Sequence, residues 1–510
     1  MEAEQTPLWA KIIDQSRCIG CHACTTACKS ENEVPLSVTR TYVKSVDVGT
    51  FPQARRAFQV TRCNQCESAP CVTACPTSAM YRRPDGIVDF DKSVCIGCKA
   101  CMAACPYDAI FINPEDHSAE KCNFCAHRLD VGLEPACVVV CPVEALLVGD
   151  MRDPTSKVGR MIGREALAVR RPEKATRPKV FYKGAHQATL DPLAARRPDG
   201  GLYAWNEQPK GRNEIGSGQP ARWNSSAAAL LSYDVSHTAP WDWRVSLYTW
   251  TKSIAAGSCL VALLLAALGG GSWSGALWTV VAPLVSLIFL GFTGVVLILD
   301  LEHPERFYLI FARPQWRSWL VRGAFIISAY GAVLTIHLIA SLSGRGAITP
   351  WLAFAGVPLA VGTAAYTGYL FAQAKARDLW QNPLLPPHLV VQALIAGAAA
   401  LLPFVPVFEA RAWQGTLIVL GIATLSHLMF VAAEVSLAHM TAHAQAAMRT
   451  MTHGRYAGMF WASLVCAALA AIACISPVPR LAFVAVPLAL AALFLYEHAY
   501  VQAGQSVPLA

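Results

Sequence analysis

Sixteen of the 19 cysteines lie between residues 18 and 141, in four groups of four. They read Cys18-Cys21-Cys24-Cys28, Cys63-Cys66-Cys71-Cys75, Cys95-Cys98-Cys101-Cys105 and Cys122-Cys125-Cys137-Cys141, and each of the last three groups is followed by proline. Three closely spaced thiolates can wrap three corners of a cuboidal iron-sulfur cluster. The fourth, set three residues further on, is turned away and ligates the other cluster of a pair. Sixteen such ligands fit four [4Fe-4S] clusters.

Other cysteine chemistries fit less well. A structural zinc needs two C-x-x-C pairs well apart, whereas here the third and fourth thiols share the same short run. Cys18 to His22 spells the C-x-x-C-H of haem attachment, yet the run continues through Cys24 and Cys28. A disulfide framework suits a small secreted domain, and this chain has 510 residues.

The groups, their order and the wide gap between Cys125 and Cys137 resemble the four-cluster electron-transfer subunit of the complex iron-sulfur molybdoenzymes. That family includes dimethyl sulfoxide, polysulfide, tetrathionate and nitrate reductases and formate dehydrogenase. The resemblance covers about residues 9 to 155 and implies that the first group pairs with the fourth and the second with the third. One cluster would take Cys18, Cys21, Cys24 and Cys141, and another Cys28, Cys122, Cys125 and Cys137. The inner pair would take Cys63, Cys66, Cys71 and Cys105, and Cys75, Cys95, Cys98 and Cys101. Lys29 is a departure, standing where the other groups carry proline.

The elements that position these ligands are short. Tyr42 to Val46 alternates as a strand, and Asp85-Gly86 marks a hairpin turn directly before the third group. The second and third groups repeat one pattern, so residues 1–155 read as two tandem ferredoxin-like units of α+β class. Such a domain has little apolar core, and the clusters act as its staples. Residues 156–240 are rich in proline and glycine without sustained periodicity, and read as an extended linker, either a flexible tether or a tail docking a partner. Trp205, Trp223 and Tyr233 favour docking.

Composition changes sharply near residue 240. Of the 76 Asp, Glu, Lys and Arg residues, 21 fall in residues 241–510, which marks a membrane domain. Apolar runs at about 245–268, 276–299, 319–343, 349–373, 388–407, 413–437, 456–476 and 481–500 read as an all-α bundle of eight transmembrane helices. Loops on the side of the cysteine domain carry Arg244, Arg306, Arg313, Arg317, Lys375, Arg377, Arg449 and Arg455, against Arg345, Arg411 and Arg480 opposite. The positive-inside rule puts the cysteine domain in the cytoplasm, on the inner membrane of a prokaryote. The N-terminus shows no apolar h-region or twin arginine, in agreement. The net charge of +8 comes from these loops, and no basic stripe with interleaved aromatics points to nucleic acid.

Residues 299–307 (LDLEHPERF) and 315–320 (QWRSWL) resemble the loop between helices two and three of the polysulfide-reductase-type, NrfD-like membrane subunits. That resemblance covers about residues 235–500. It implies an eight-helix anchor that reacts with quinone and has no haem, and fusion to a ferredoxin partner departs from the usual separate chains. A quinone takes up protons with its electrons, so its site needs polar or titratable groups at membrane depth beside the nearest cluster. Tyr248, Lys252, Asp300, His303 and Arg306 are the candidates. Further in, His337, His427, Glu434, Glu497 and His498 are hydrogen-bonded bundle residues or a proton relay, with His427 and Glu434 foremost. Cys259, Cys466 and Cys474 read as packing residues.

The whole reads as the electron-transfer and membrane-anchor subunit of a quinone-linked oxidoreductase. Electrons would run between a large subunit holding a molybdenum or tungsten bis-pterin and membrane menaquinone or ubiquinone, with no catalytic residue in this chain. Two alternatives are a redox-coupled proton-translocating module and a membrane-anchored polyferredoxin serving soluble partners.

Overall fold

The computed structural model describes residues 6–196, 229–476 and 478–510. In the front domain, strand Trp9–Asp14 is central. It runs antiparallel to Leu146–Asp150 and parallel to Val180–Lys183, so that Ile12 lies between Leu147 and Phe181. Leu167–Ala168 extends the same sheet. A second sheet orders Leu230–Tyr233, Thr41–Val48 and Arg55–Arg62. Two short hairpins, Met80–Arg82 with Val88–Phe90 and Ile110–Ile112 with Ala119–Lys121, separate the later cysteine groups. The first is the hairpin expected at Asp85-Gly86, where Gly86 takes φ 79°.

The segment read as an extended linker is, where described, part of this first domain. Helix Lys157–Arg164 packs Val158 onto the sheet, Val180–Lys183 is an interior strand, and Leu230–Tyr233 completes the second sheet. Parallel pairing between Trp9–Asp14 and Val180–Lys183 joins residues far apart in sequence, so no local pattern announces it. Tyr233 packs edge-on against the His22 ring; Trp205 and Trp223 lie outside the described residues. Lys29, the residue in place of proline, donates to the carbonyls of Pro35 (2.8 Å) and Val38 (2.6 Å) and so closes the following loop.

Among the described residues, seven helices are long and apolar enough to cross a bilayer: Trp243–Ala267, Leu277–Leu299, Trp319–Leu342, Gly346–Gln373, Ala410–Ser436, Ala457–Ile475 and Arg480–Gln505. The expected fifth span is the shorter helix Leu385–Leu401, of 17 residues, about 26 Å at 1.5 Å per residue. Pro403, which cannot donate to the preceding turn, ends it before residue 407. It is nonetheless a crossing. Trp241, just ahead of the first helix, exchanges hydrogen bonds with Gln505 at the end of the last, so both ends of the bundle are on one side and the number of crossings is even.

The first and fifth helices form the bundle centre, with Ile254, Val261, Ala396 and Ala398 fully buried. Gly257 and Gly397 make their contact possible: a Cβ on either would run into the backbone of the other helix, the small-residue approach by which membrane helices pack. Outward-facing side chains such as Trp351, Ile418, Met429 and Ile472 are apolar and exposed, as a lipid-facing surface requires.

The two domains share one buried junction. Trp241 stacks on Phe371 and Trp380, and Ala103 and Leu193 of the front domain join that cluster. The segment after the last helix threads between the domains, its carbonyls taking hydrogen bonds from Arg377, Arg170 and Lys44. His237 bridges Asp108 (2.6 Å) and Asp234 (3.1 Å) at the same junction.

Candidate iron-sulfur centres and membrane cavity

The C-I-G-C turns of the first and third groups have matching backbones. Gly20 and His22 take φ 71° and 61°, Gly97 and Lys99 take 67° and 60°. Left-handed residues here turn successive N–H groups inward, a geometry that suits a polyanionic centre. Backbone N–H groups also meet Cys63 (from Gln65), Cys75 (from Met80), Cys95 (from Ala119) and Cys141 (from Ala145), at 3.2 to 3.5 Å.

Folding sorts the sixteen thiols into sets that mix the sequence groups. Cys18, Cys21, Cys24 and Cys141 line one cavity, and Cys75, Cys95, Cys98 and Cys101 line another. Cys28 has Cys122, Cys137 and Cys125 as its thiol neighbours, and Cys71 has Cys63, Cys105 and Cys66. Among the described residues no three His, Cys, Asp or Glu side chains converge closely enough to hold a single metal ion. Four thiols around a cavity, too far apart for zinc, are the donor set a cuboidal cluster takes.

The sets differ in exposure and charge. Cys21 is exposed, and Cys18 and Cys141 partly so, with the exposed Ile19, Val139 and Val140 around them. Cys137 is buried and takes hydrogen bonds from Arg62 (3.3 Å) and Lys11 (3.5 Å). Burial pushes its thiol up, yet Arg62 and Lys11 prevail and bring it to about 7. Burial alone dominates at Cys24 and Cys66, raised to about 11 and about 12.

The loop between the second and third spans docks against the third cysteine group. The Glu302 side chain lies over Gly97 and pairs with Lys99 at 2.9 Å. The His303 N–H donates to the Ile96 carbonyl, and the His303 ring meets the Asp116 carbonyl at 2.9 Å. Arg306 donates to the carbonyls of Lys92 (3.0 Å) and Cys95 (3.1 Å), and Ser318 to that of Ala74. His303 and Arg306, read from sequence as quinone candidates, therefore face the front domain and fasten it to the bundle.

Directly beneath is a cavity of about 280 Å³ with Cys98, Trp241, Tyr248, Asp300, Phe307 and Tyr366 in its largely apolar wall. Of the sequence candidates, Tyr248 and Asp300 reach it. Asp300 is 8% exposed, its Oδ1 has no hydrogen-bond partner, and burial lifts its carboxyl to about 6 although Lys99 pulls it down. Lys252 sits one layer deeper, its Nζ bonded to the Ala364 carbonyl and Thr367 Oγ1, both at 2.8 Å. Sequence reading missed Trp241 and Tyr366; aromatics near span ends are ordinary, and only their convergence distinguishes them.

The candidate relay residues are also in the bundle interior. His427 Nδ1 meets His388 Nε2 at 2.8 Å, a partner the sequence did not flag. Glu434 accepts from Asn382 (3.1 Å) and Tyr496 (3.0 Å), and Glu497 from Thr249 (2.8 Å).

Known proteins divide along the same lines. A 4Fe-4S binding domain matches residues 9–30, a 4Fe-4S dicluster domain residues 54–151, and Polysulphide reductase, NrfD, residues 232–507. A tetrathionate reductase subunit of Salmonella typhimurium is 44% identical over 37% of this chain and 77% of its own length. A polysulfide reductase component of Wolinella succinogenes is 44% identical over 34% of this chain and 92% of its own. The thiosulfate reductase electron transfer subunit PhsB of Salmonella typhi reaches 46%, over 32% and 85%. Those relatives cover about a third of this chain, while the NrfD match spans more than half of it: this protein belongs to the polysulphide reductase NrfD family, with an iron-sulfur subunit of the tetrathionate and polysulfide reductase kind fused ahead of it.

Proposed function

We propose that this chain is the electron-transfer and membrane-anchor subunit of a quinone-linked molybdenum or tungsten oxidoreductase, with the substrate chemistry in a separate bis-pterin subunit. When bound, four [4Fe-4S] clusters supply a path for single electrons between that subunit and the membrane. The observation that carries the reading is the wall of the 280 Å³ cavity, where Cys98 stands with Tyr248 and Asp300. A cluster thiolate, a phenol and a buried carboxyl meet at the membrane edge of the bundle. The apolar wall takes up a quinone ring of the menaquinone or ubiquinone class, the Tyr248 hydroxyl orients a carbonyl, and Asp300 Oδ1 holds the proton such a carbonyl needs.

At the far end, the exposed Cys21 with Ile19, Val139 and Val140 suits docking of the catalytic subunit. The arginines on the front-domain side support a cytoplasmic front domain on a prokaryotic inner membrane. Isolation from native membranes tests the assignment: a large co-purifying subunit with molybdenum or tungsten, and about sixteen irons in this chain, is expected. Iron without either metal would end it.

A second reading adds proton movement. Lys252 and Glu497 are buried beside one another's helices, and His388–His427 and Asn382–Glu434–Tyr496 continue the polar interior. Charged groups at this depth are costly and mark pathways. Acidification on quinone turnover that disappears in Glu434→Gln is expected; an unchanged signal refutes this second reading.

A further inference from the structure

Lys11 and Arg62 are each 1% exposed and lie on strands of the two front-domain sheets, Lys11 in Trp9–Asp14 and Arg62 at the end of Arg55–Arg62. Both side chains converge on Cys137 Sγ, at 3.5 and 3.3 Å. The Lys11 ammonium also sits 4.5 Å above the centre of the Phe124 ring. Arg62 keeps its Nε and Nη2 buried without a partner. Two cations taken out of water cost several kcal/mol each unless an anion compensates them. A single thiolate is too little anion for two, and unpartnered guanidinium N–H groups need acceptors.

We infer that Lys11 and Arg62 are the potential-setting residues of the centre held by Cys28, Cys122, Cys125 and Cys137. They raise its reduction potential above what those four thiolates alone would give. The inference rests on the four-cluster reading above. A [4Fe-4S] centre gains one negative charge when it takes one electron, and no bond forms or breaks. Fixed buried cations stabilise the more negative form more strongly. Asn32 adds to this, its Nδ2 standing 3.8 Å from Cys28 Sγ and 3.7 Å from Cys125 Sγ.

Potentiometric titration of the purified full-length chain, followed by electron paramagnetic resonance, tests this. Lys11→Met is expected to lower the midpoint of that centre alone by tenfold or more in the reduction equilibrium, about 59 mV per tenfold for a one-electron couple, and Arg62→Gln to lower it as much with a smaller shift at the neighbouring centre, whose Cys24 also faces the Arg62 guanidinium. Arg62→Lys, which keeps the charge, returns that midpoint towards wild type. Iron is counted in every variant, and Lys11→Met, which keeps chain length and apolar volume, decides the matter if Arg62→Gln loses iron. Four cluster signals with no midpoint moved, or all four moved together, overturns the inference. Fewer than four signals in the wild type instead refutes the cluster assignment on which it rests.

Discussion

Gly97 offers a sharp test of how the front domain is seated on the bundle. It takes φ 67°, and a Cβ built there meets the Glu302 side chain, Glu302 N at 2.9 Å and Glu302 Cα at 3.0 Å. In Gly97→Ala the left-handed backbone costs about 1–2 kcal/mol. Displacing a packed backbone segment adds about 1–3 kcal/mol, for about 2–5 kcal/mol in all. The displaced segment carries Asp300 and the His303 N–H bond to Ile96, so the variant should also disturb the cavity wall. Two other glycines separate these effects. Gly132 has φ 77° and open space around its Cβ position, so its alanine variant should lose only the backbone contribution. Gly20 has φ 71° in the matching turn of the first group, and a Cβ there would strike the Phe58 ring within the front domain, so its variant should lose stability, with iron counted in it, while the cavity wall stays undisturbed. Thermal unfolding in detergent and stopped-flow oxidation of the reduced protein by a soluble quinone measure both quantities. Gly97→Ala as stable as Gly132→Ala, with unchanged quinone kinetics, would refute the docking described here.

Three further outcomes follow from side chains at the junction and the core. Quinone reduction should slow as pH rises through about 6, where Asp300 loses the proton that burial helps it keep, and Asp300→Asn should be slower with a flat pH profile; a profile unchanged in the variant counts against the role. His237 is penalised by burial but held protonated to about 9 by Asp234 and Asp108. Its contribution, about 3 kcal/mol, is fully present below pH 6.5 and lost as pH rises through 9, so His237→Gln should unfold at a temperature that varies less over that window. The Arg40–Glu120 ion pair, at 2.6 Å and nearly inaccessible on both sides, should cost about 3–5 kcal/mol when broken by Glu120→Ala, read as a lowered denaturant midpoint.

The four cysteine groups were legible because cysteine spacing is a local property. How folding sorts those thiols was not: the approach of Cys141 to Cys18 and of Cys28 to Cys122 depends on chain reversals that only the family resemblance supplied. The eight crossings were legible from hydropathy, while the early end of the fifth turned on Pro403. Residues 157–183 carried no periodic signal, since their contribution to the sheet is a parallel pairing across most of the front domain. Charges at span ends identified Asp300, but charge alone does not tell which way a loop residue faces. His303 and Arg306 turn towards the front domain because bare carbonyls of the third cysteine group and the hairpin after it await donors there.

In the proposed function, electrons pass between the protein and quinone at the cavity shared by Cys98, Tyr248 and Asp300. Stopped-flow absorbance of the dithionite-reduced, full-length protein mixed with a menaquinone or ubiquinone analogue tests it most directly. Rapid bleaching reversal in the wild type, slowed at least tenfold in Asp300→Asn and in Tyr248→Phe with iron content unchanged, is the predicted result. Equal rates in wild type and both variants would contradict it.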